Sequence, residues 1–166
     1  LQTSSIMKCA LRKITELSGN KTSIYSVVAD NEDKALFELF VEENHISYSS
    51  EINDIVLRLK TIGHKTGARE NFFKLNEGTS GDGVCALYDL PEYKLRLYCI
   101  RYGTQLVILG GGGHKNVRAL QDDKKLKDES YFLRELSQQI TKKLRNKDIK
   151  FIDNGKDFEG DLEFDF

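Results

Sequence analysis

A chain of 166 residues with 39% hydrophobic and 31% charged residues is long enough for one domain with its own core and too short to expect two. That composition excludes extended disorder, and no window approaches the roughly 18 apolar residues of a membrane span. The net charge of -1 conceals an asymmetry: residues 151–166 hold six acidic side chains against Lys156 alone, leaving 24 basic and 20 acidic residues before them, a mildly basic body that points to an anionic partner such as nucleic acid.

The amino-terminal LQTSSIMKCALRK lacks the layout of a signal peptide, so a cytoplasmic location is expected. Met7 is the sole methionine and a natural start, which would make Leu1 to Ile6 an extension. Lys8 to Leu17 and Ser23 to Val28 read as two short strands, and the Gly19-Asn20 pair between them suits a hairpin. Asp30 to Asp33 then supply acidic and capping residues ahead of Ala35, Leu36, Leu39, Phe40 and Val41, which recur at helical spacing. A second helix is predicted from about Ser50, with Ile52, Ile55, Val56, Leu59 and Ile62 on one face and Gly63 ending it. The two make a helix hairpin expected to cover one face of a sheet.

Lys60, followed by the loop that carries His64, Lys65 and Arg69, concentrates positive charge after the second helix. These groups either complement the helix carboxyl terminus or lie against phosphates, and both readings stand. Phe72, Phe73 and Leu75 read as core, and Gly78 to Gly83 as a connector. From Val84 to Arg118 the pattern is a three-strand meander, turning at Asp89-Leu90-Pro91-Glu92 and at Tyr102-Gly103-Thr104. In its middle strand Leu95, Leu97 and Cys99 point one way; Lys94, Arg96, Tyr98 and Ile100 point the other. The third strand, Leu106 to Leu109, is expected to stop at the glycine run 110–113, just before His114, Lys115 and Arg118. A charged stretch from Gln121 to Glu129 precedes a last helix, Tyr131 to Arg145. Residues 1–150 thus read as one α+β domain, with a small, mostly antiparallel sheet (amino-terminal hairpin plus meander) under a helix hairpin and a carboxyl-terminal helix. Residues 151–166 read as an acidic, aromatic tail, expected to fold over the basic site or recruit a partner.

Several chemistries lack their residues. GGGGHK has neither P-loop spacing nor the Ser or Thr that would follow its lysine, and the glycines open no βαβ unit. Cys9, Cys85 and Cys99 have no CxxC spacing, and His45, His64 and His114 fall in three separate segments, so neither a disulfide framework nor a metal site is expected, and no cofactor is called for. There is no GxSxG elbow. A cationic site remains. RNA cleavage without metal needs removal of the 2′-hydroxyl proton, charge stabilisation at phosphorus, and protonation of the leaving oxygen. Arg96, Tyr98, His114, Lys115 and Arg118 are side chains of the right types on neighbouring strands. The same composition also suits a surface that binds an acidic protein segment.

The order of elements, together with YKLRLYCIRYGTQLVILGGGGHK at Tyr93 to Lys115, resembles the RelE/ParE superfamily of toxin-antitoxin toxins, particularly its RelE and HigB-like branches. The resemblance spans Ile52 to Arg118. It implies a RelE-like fold and a metal-independent mRNA endoribonuclease acting in the cytoplasm, on messenger at the ribosome, neutralised by a small cognate antitoxin and compatible with a homodimer. It implies catalytic roles for Arg96 as the phosphate-stabilising arginine, Lys115 or Arg118 as the following cation, and His114 as proton carrier, with Tyr98 beside them. Lys60, His64, Lys65, Arg69 and Lys94 would bind RNA. Unlike RelE members, the strand from Val84 to Asp89 carries no lysine. Two alternatives follow from the same resemblance: a catalytically weak protein-binding module, and a ParE-like toxin directed at gyrase.

Overall fold

The computed structural model describes residues 2–75, 77–78, 81–115 and 120–166, without the side chains of Leu120 and Gln121. Nine strands and three α-helices are assigned among them: β1 (Lys8–Lys13), β2 (Ser23–Ala29), α1 (Leu36–Asn44), α2 (Ser49–Thr61), β3 (Phe73–Lys74), β4 (Val84–Leu87), β5 (Leu95–Tyr102), β6 (Leu106–His114), α3 (Leu120–Arg145), β7 (Ile149–Ile152), β8 (Asp157–Gly160) and β9 (Glu163–Asp165). Seven strands form one sheet in the order β3-β4-β5-β6-β2-β1-β9, and β7 pairs with β8 separately.

The amino-terminal hairpin and the meander both form, although β1 ends at Lys13 and does not run on to Leu17. The expected small, mostly antiparallel RelE-like sheet under a helix hairpin does not. β2 and β6 pair in parallel, Ser23 opposite Leu106 through Ser26 opposite Leu109, joining hairpin and meander into one mixed sheet. The reason lies in their burial. Ile24, Val107 and Leu109 pack with Phe37, Phe40, Ile52, Ile55 and Leu59 of α1 and α2. Tyr25, Val27, Leu106 and Ile108 pack with Phe132, Leu133, Leu136 and Ile140 of α3. Strands apolar on both faces belong at the centre of a covered sheet, and helices here cover both faces. Ser26, the polar residue buried between these layers, donates to Leu109 O (2.8 Å) and accepts from Phe37 N (3.2 Å), which ties the start of α1 to the central strands.

Other boundaries also move, and helical structure runs past Gly63, α2 continuing into a π-helical turn at Ile62–Thr66. α3 begins at Leu120, so the charged stretch 121–129 is helical, laced by Asp123–Lys127 (2.8 Å), Lys124–Asp128 (2.6 Å) and Lys125–Glu129 (3.5 Å) ion pairs one turn apart. β6 runs through the glycine run to His114. A Cβ at Gly110 would meet the Leu133 side chain and one at Gly112 would strike Arg96 O, so glycine here lets α3 and β5 approach the strand closely. β6 carries a bulge within this run, Gly110 and Gly111 together opposing the one residue between Leu97 and Cys99 of β5.

The acidic segment does not fold over the cationic face. β9 pairs with β1 at the sheet edge, and β6, β2 and β1 lie between it and β5. Its aromatic residues are pegs: Phe164 is buried with Lys143 Nζ 4.3 Å from its ring centroid, and Phe166 packs on Phe132 at 5.0 Å. Its acids bond locally, Asp157 to Tyr25 Oη (2.6 Å) and Lys13 Nζ (3.0 Å), and Asp161 to Lys143 (2.8 Å). Cys9, Cys85 and Cys99 are free and buried, with Cys85 and Cys99 directly opposite across β4 and β5. Among the described residues no helix is long and apolar enough to cross a membrane.

Candidate functional site

Four neighbouring strands converge on one carboxylate. Asp89, just beyond β4, is 4% exposed and receives Lys74 Nζ from β3 at 3.2 Å, Arg96 Nε from β5 at 3.7 Å, and Lys115 Nζ from the end of β6. Antiparallel pairing produces this convergence, because the end of β4, the start of β5 and the end of β6 meet at one edge of the meander. Lys115 is fixed further: its backbone N–H donates to Lys94 O (2.9 Å) and its ammonium to Leu90 O (2.6 Å). Three cations about one acid leave a local excess of positive charge in a partly desolvated setting, where it acts more strongly than on an open surface.

Beside this cluster lies a cleft of about 300 Å³, bounded by Arg96, Tyr98 and Lys115 of the sheet and by Lys127, Tyr131 and Arg134 of α3. Tyr98 is buried. Its hydroxyl pKa is raised, chiefly by burial, with Arg96 opposing, so it keeps its proton at neutral pH and is a weaker acid than a free tyrosine. Arg134 donates to Glu77 O (3.3 Å), as does the Ser130 hydroxyl (3.1 Å), which pins the segment before β4 against α3.

Arg96, Tyr98 and Lys115 are therefore together. His114 is not with them: it pairs with Leu95, whose side chain belongs to the α1–α2 layer, and its ring meets Tyr48 edge-on at 5.0 Å. Arg118 lies outside the described residues. Lys94 is exposed at the cluster's end of β5, where its N–H donates to Glu51 (2.8 Å). The other proposed RNA-binding residues stand at the opposite end of the sheet. His64, Lys65 and Arg69 are exposed on a segment whose backbone is bonded to the β1–β2 and β5–β6 turns, Gly63 O accepting from Lys21 and Thr22 and Ala68 N–H donating to Thr104 O (2.9 Å). Arg96 and Thr104 are eight residues apart along an extended strand and its turn, roughly 25 Å. Lys60 lines a different groove, of about 840 Å³, between β1 and the α1–α2 layer with Arg12, Ile14, Phe37, Val41 and His45. That groove is the larger one, but Arg12 and Lys34 at its rim are already paired with Glu38 and Glu42.

Sequence reasoning missed Lys74, Asp89, Lys127, Tyr131 and Arg134. Asp89 read as a turn residue, and Lys74 lies outside the strand from Val84 to Asp89, in a two-residue strand that gives almost no periodic signal. The charge pairs at i, i+4 through 121–129 are the signal that would have extended α3 and brought its cations to the cleft. Among the described residues no group of three His, Cys, Asp or Glu side chains is placed to hold a metal ion. Comparison of the chain with protein-family models, with curated proteins and with solved structures found no match in any of the three.

Proposed function

We propose that the chain binds RNA through the Asp89-centred cleft and acts as a metal-independent endoribonuclease of the toxin type. One observation carries the reading: Arg96, Tyr98 and Lys115, singled out from the sequence as candidates for that chemistry, line a single cleft. The arginine fork and the lysine charge suit a phosphodiester whose negative charge grows as it is attacked. Tyr98 lines the same cleft, and its hydroxyl is a proton donor of the kind the leaving oxygen requires. In this proposal messenger at the ribosome is the substrate and a small antitoxin the neutralising partner; both come from the resemblance of Tyr93 to Lys115 to RelE/ParE toxins. His114, on the other face of the sheet, has no place in this scheme. Its separation favours, as a second reading, a module that binds acidic or phosphate-bearing partners with weak cleavage.

The test is binding of a fluorescent single-stranded RNA oligomer across a salt series, for the wild type and Arg96→Ala, Lys115→Ala. The double variant is expected to bind more weakly, with a salt slope reduced by about 1 for each cation removed. Equal affinity and slope in the two proteins would overturn the assignment of this cleft.

A further inference from the structure

The cleft has a wall that phosphate recognition leaves unused. Tyr131 is 55% exposed, a large aromatic surface at the lip of the cleft whose other side carries Arg96 and Lys115. One turn along α3, the Arg134 guanidinium lies over the Tyr131 ring, 5.0 Å from its centroid, held there by its bond to Glu77 O. A second pair of the same kind borders the cluster. Tyr88 is 43% exposed, and Lys74 Nζ lies 5.8 Å from its ring centroid while also reaching Asp89 at 3.2 Å. Cations stacked on exposed aromatic rings, next to a convergent cationic centre, form a surface with alternating affinities for π-faces and for phosphate.

Among the described residues, four cationic side chains line the cleft against two acidic ones, Glu77 and Asp123, and Asp123 is taken up by Lys127 at 2.8 Å. A polyanion lacking rings would use only the charges. An unpaired nucleotide uses both features, because its base is free to lie on an aromatic or guanidinium plane while its phosphate meets Arg96 and Lys115. In a duplex the bases are stacked on each other and that plane is closed to them.

We infer that Tyr131, backed by Arg134, is a base-stacking platform that selects single-stranded RNA over duplex and over simple polyphosphate, with Tyr88 and Lys74 forming a second platform. This rests on the proposed function and names the substrate class of the same cleft. Three probes distinguish its failure from failure of that reading: a single-stranded RNA oligomer, the duplex of the same sequence, and inorganic polyphosphate of equal charge. The wild type should prefer the oligomer. Tyr131→Ala should lower oligomer affinity about 10-fold with an unchanged salt slope and unchanged polyphosphate affinity, and Tyr131→Phe should retain binding. Tyr88→Ala should give a loss in the same direction. Both tyrosines are exposed, so these variants leave the core intact. Wild-type protein that binds polyphosphate or duplex as tightly as the oligomer, or a Tyr131→Ala protein that binds the oligomer as well as wild type while Arg96→Ala, Lys115→Ala does not, overturns the stacking platform and leaves the phosphate site standing. Oligomer affinity unaffected by Arg96→Ala, Lys115→Ala overturns the phosphate site itself.

Discussion

Two carboxylates are buried to nearly the same degree near the glycine end of the sheet, Asp89 at 4% exposure and Glu129 at 3%, and their surroundings are opposite. Asp89 gathers Lys74, Arg96 and Lys115. Glu129, packed against Gly111, has one lysine at 3.5 Å, and burial pushes its pKa up to about 7 against that partner. Nearly equal burial thus accompanies different surroundings: three cations are held around Asp89, whereas at Glu129 burial outweighs a single lysine and strengthens the acid's hold on its proton. The hub is where an anion can be bound; the Glu129 side chain fills space between α3 and the glycine strand.

The sharpest break of this contrast is Asp89→Asn, which leaves three cations, including the nearly buried Lys115, without their counter-charge. Denaturant unfolding should show a loss of about 3 kcal/mol or more; a loss below about 1 kcal/mol would mean that the cations relax into solvent and that no hub exists.

Glu129→Gln probes the other acid. The folded value of about 7 lies above the ordinary 4.5, so the folded state binds the proton more tightly than the unfolded chain. Its contribution is fully present below about pH 4.5 and is lost as pH rises to about 7, on the order of 3 kcal/mol across that window. The glutamine variant should lose this slope; an identical pH profile in both proteins would assign it elsewhere.

Gly112→Ala should follow, at about 2 kcal/mol, because its Cβ would strike Arg96 O of the backbone. Gly113→Ala, which would meet Lys125 and Leu126 side chains at 3.4–3.6 Å, should stay within about 0.5 kcal/mol. The smallest effects are expected at the far end of the sheet. Lys65→Ala and Arg69→Ala should change stability by no more than about 0.5 kcal/mol and leave RNA affinity near wild type. A large loss of RNA affinity there would move the binding surface to that end.

Much of the local architecture was legible from periodicity. The alternation of Leu95, Leu97 and Cys99 with Arg96, Tyr98 and Ile100 placed the two faces of β5 correctly, and the apolar stripe from Ile52 to Ile62 marked α2. The parallel pairing of β2 with β6 carries no local signature beyond two strands apolar on both faces, and it is the step that turned a small antiparallel sheet into a mixed seven-stranded one. Residues 151–166 misled through composition: their acids and aromatics suggested a tail that folds over the basic site or recruits a partner, whereas Phe158 and Phe164 are buried and β8 and β9 are paired. At the site, Arg96 and Lys115 were readable as neighbours across a hairpin. Asp89 and Lys74 were not, since their meeting depends on the order of four strands, and His114 faces the opposite side because the extra residue of the β6 bulge at Gly110–Gly111 inverts the strand's alternation between Leu109 and His114.

The central claim is that the Arg96–Lys115 cleft acts on RNA. Its most direct test is induction of the chain in bacterial cells beside Arg96→Ala, Lys115→Ala, with messenger 5′ ends mapped while growth is followed. New ends inside translated frames that disappear in the folded double variant are the predicted result. Unchanged 5′ ends in cells whose growth the wild type still arrests would contradict it and point to a protein target.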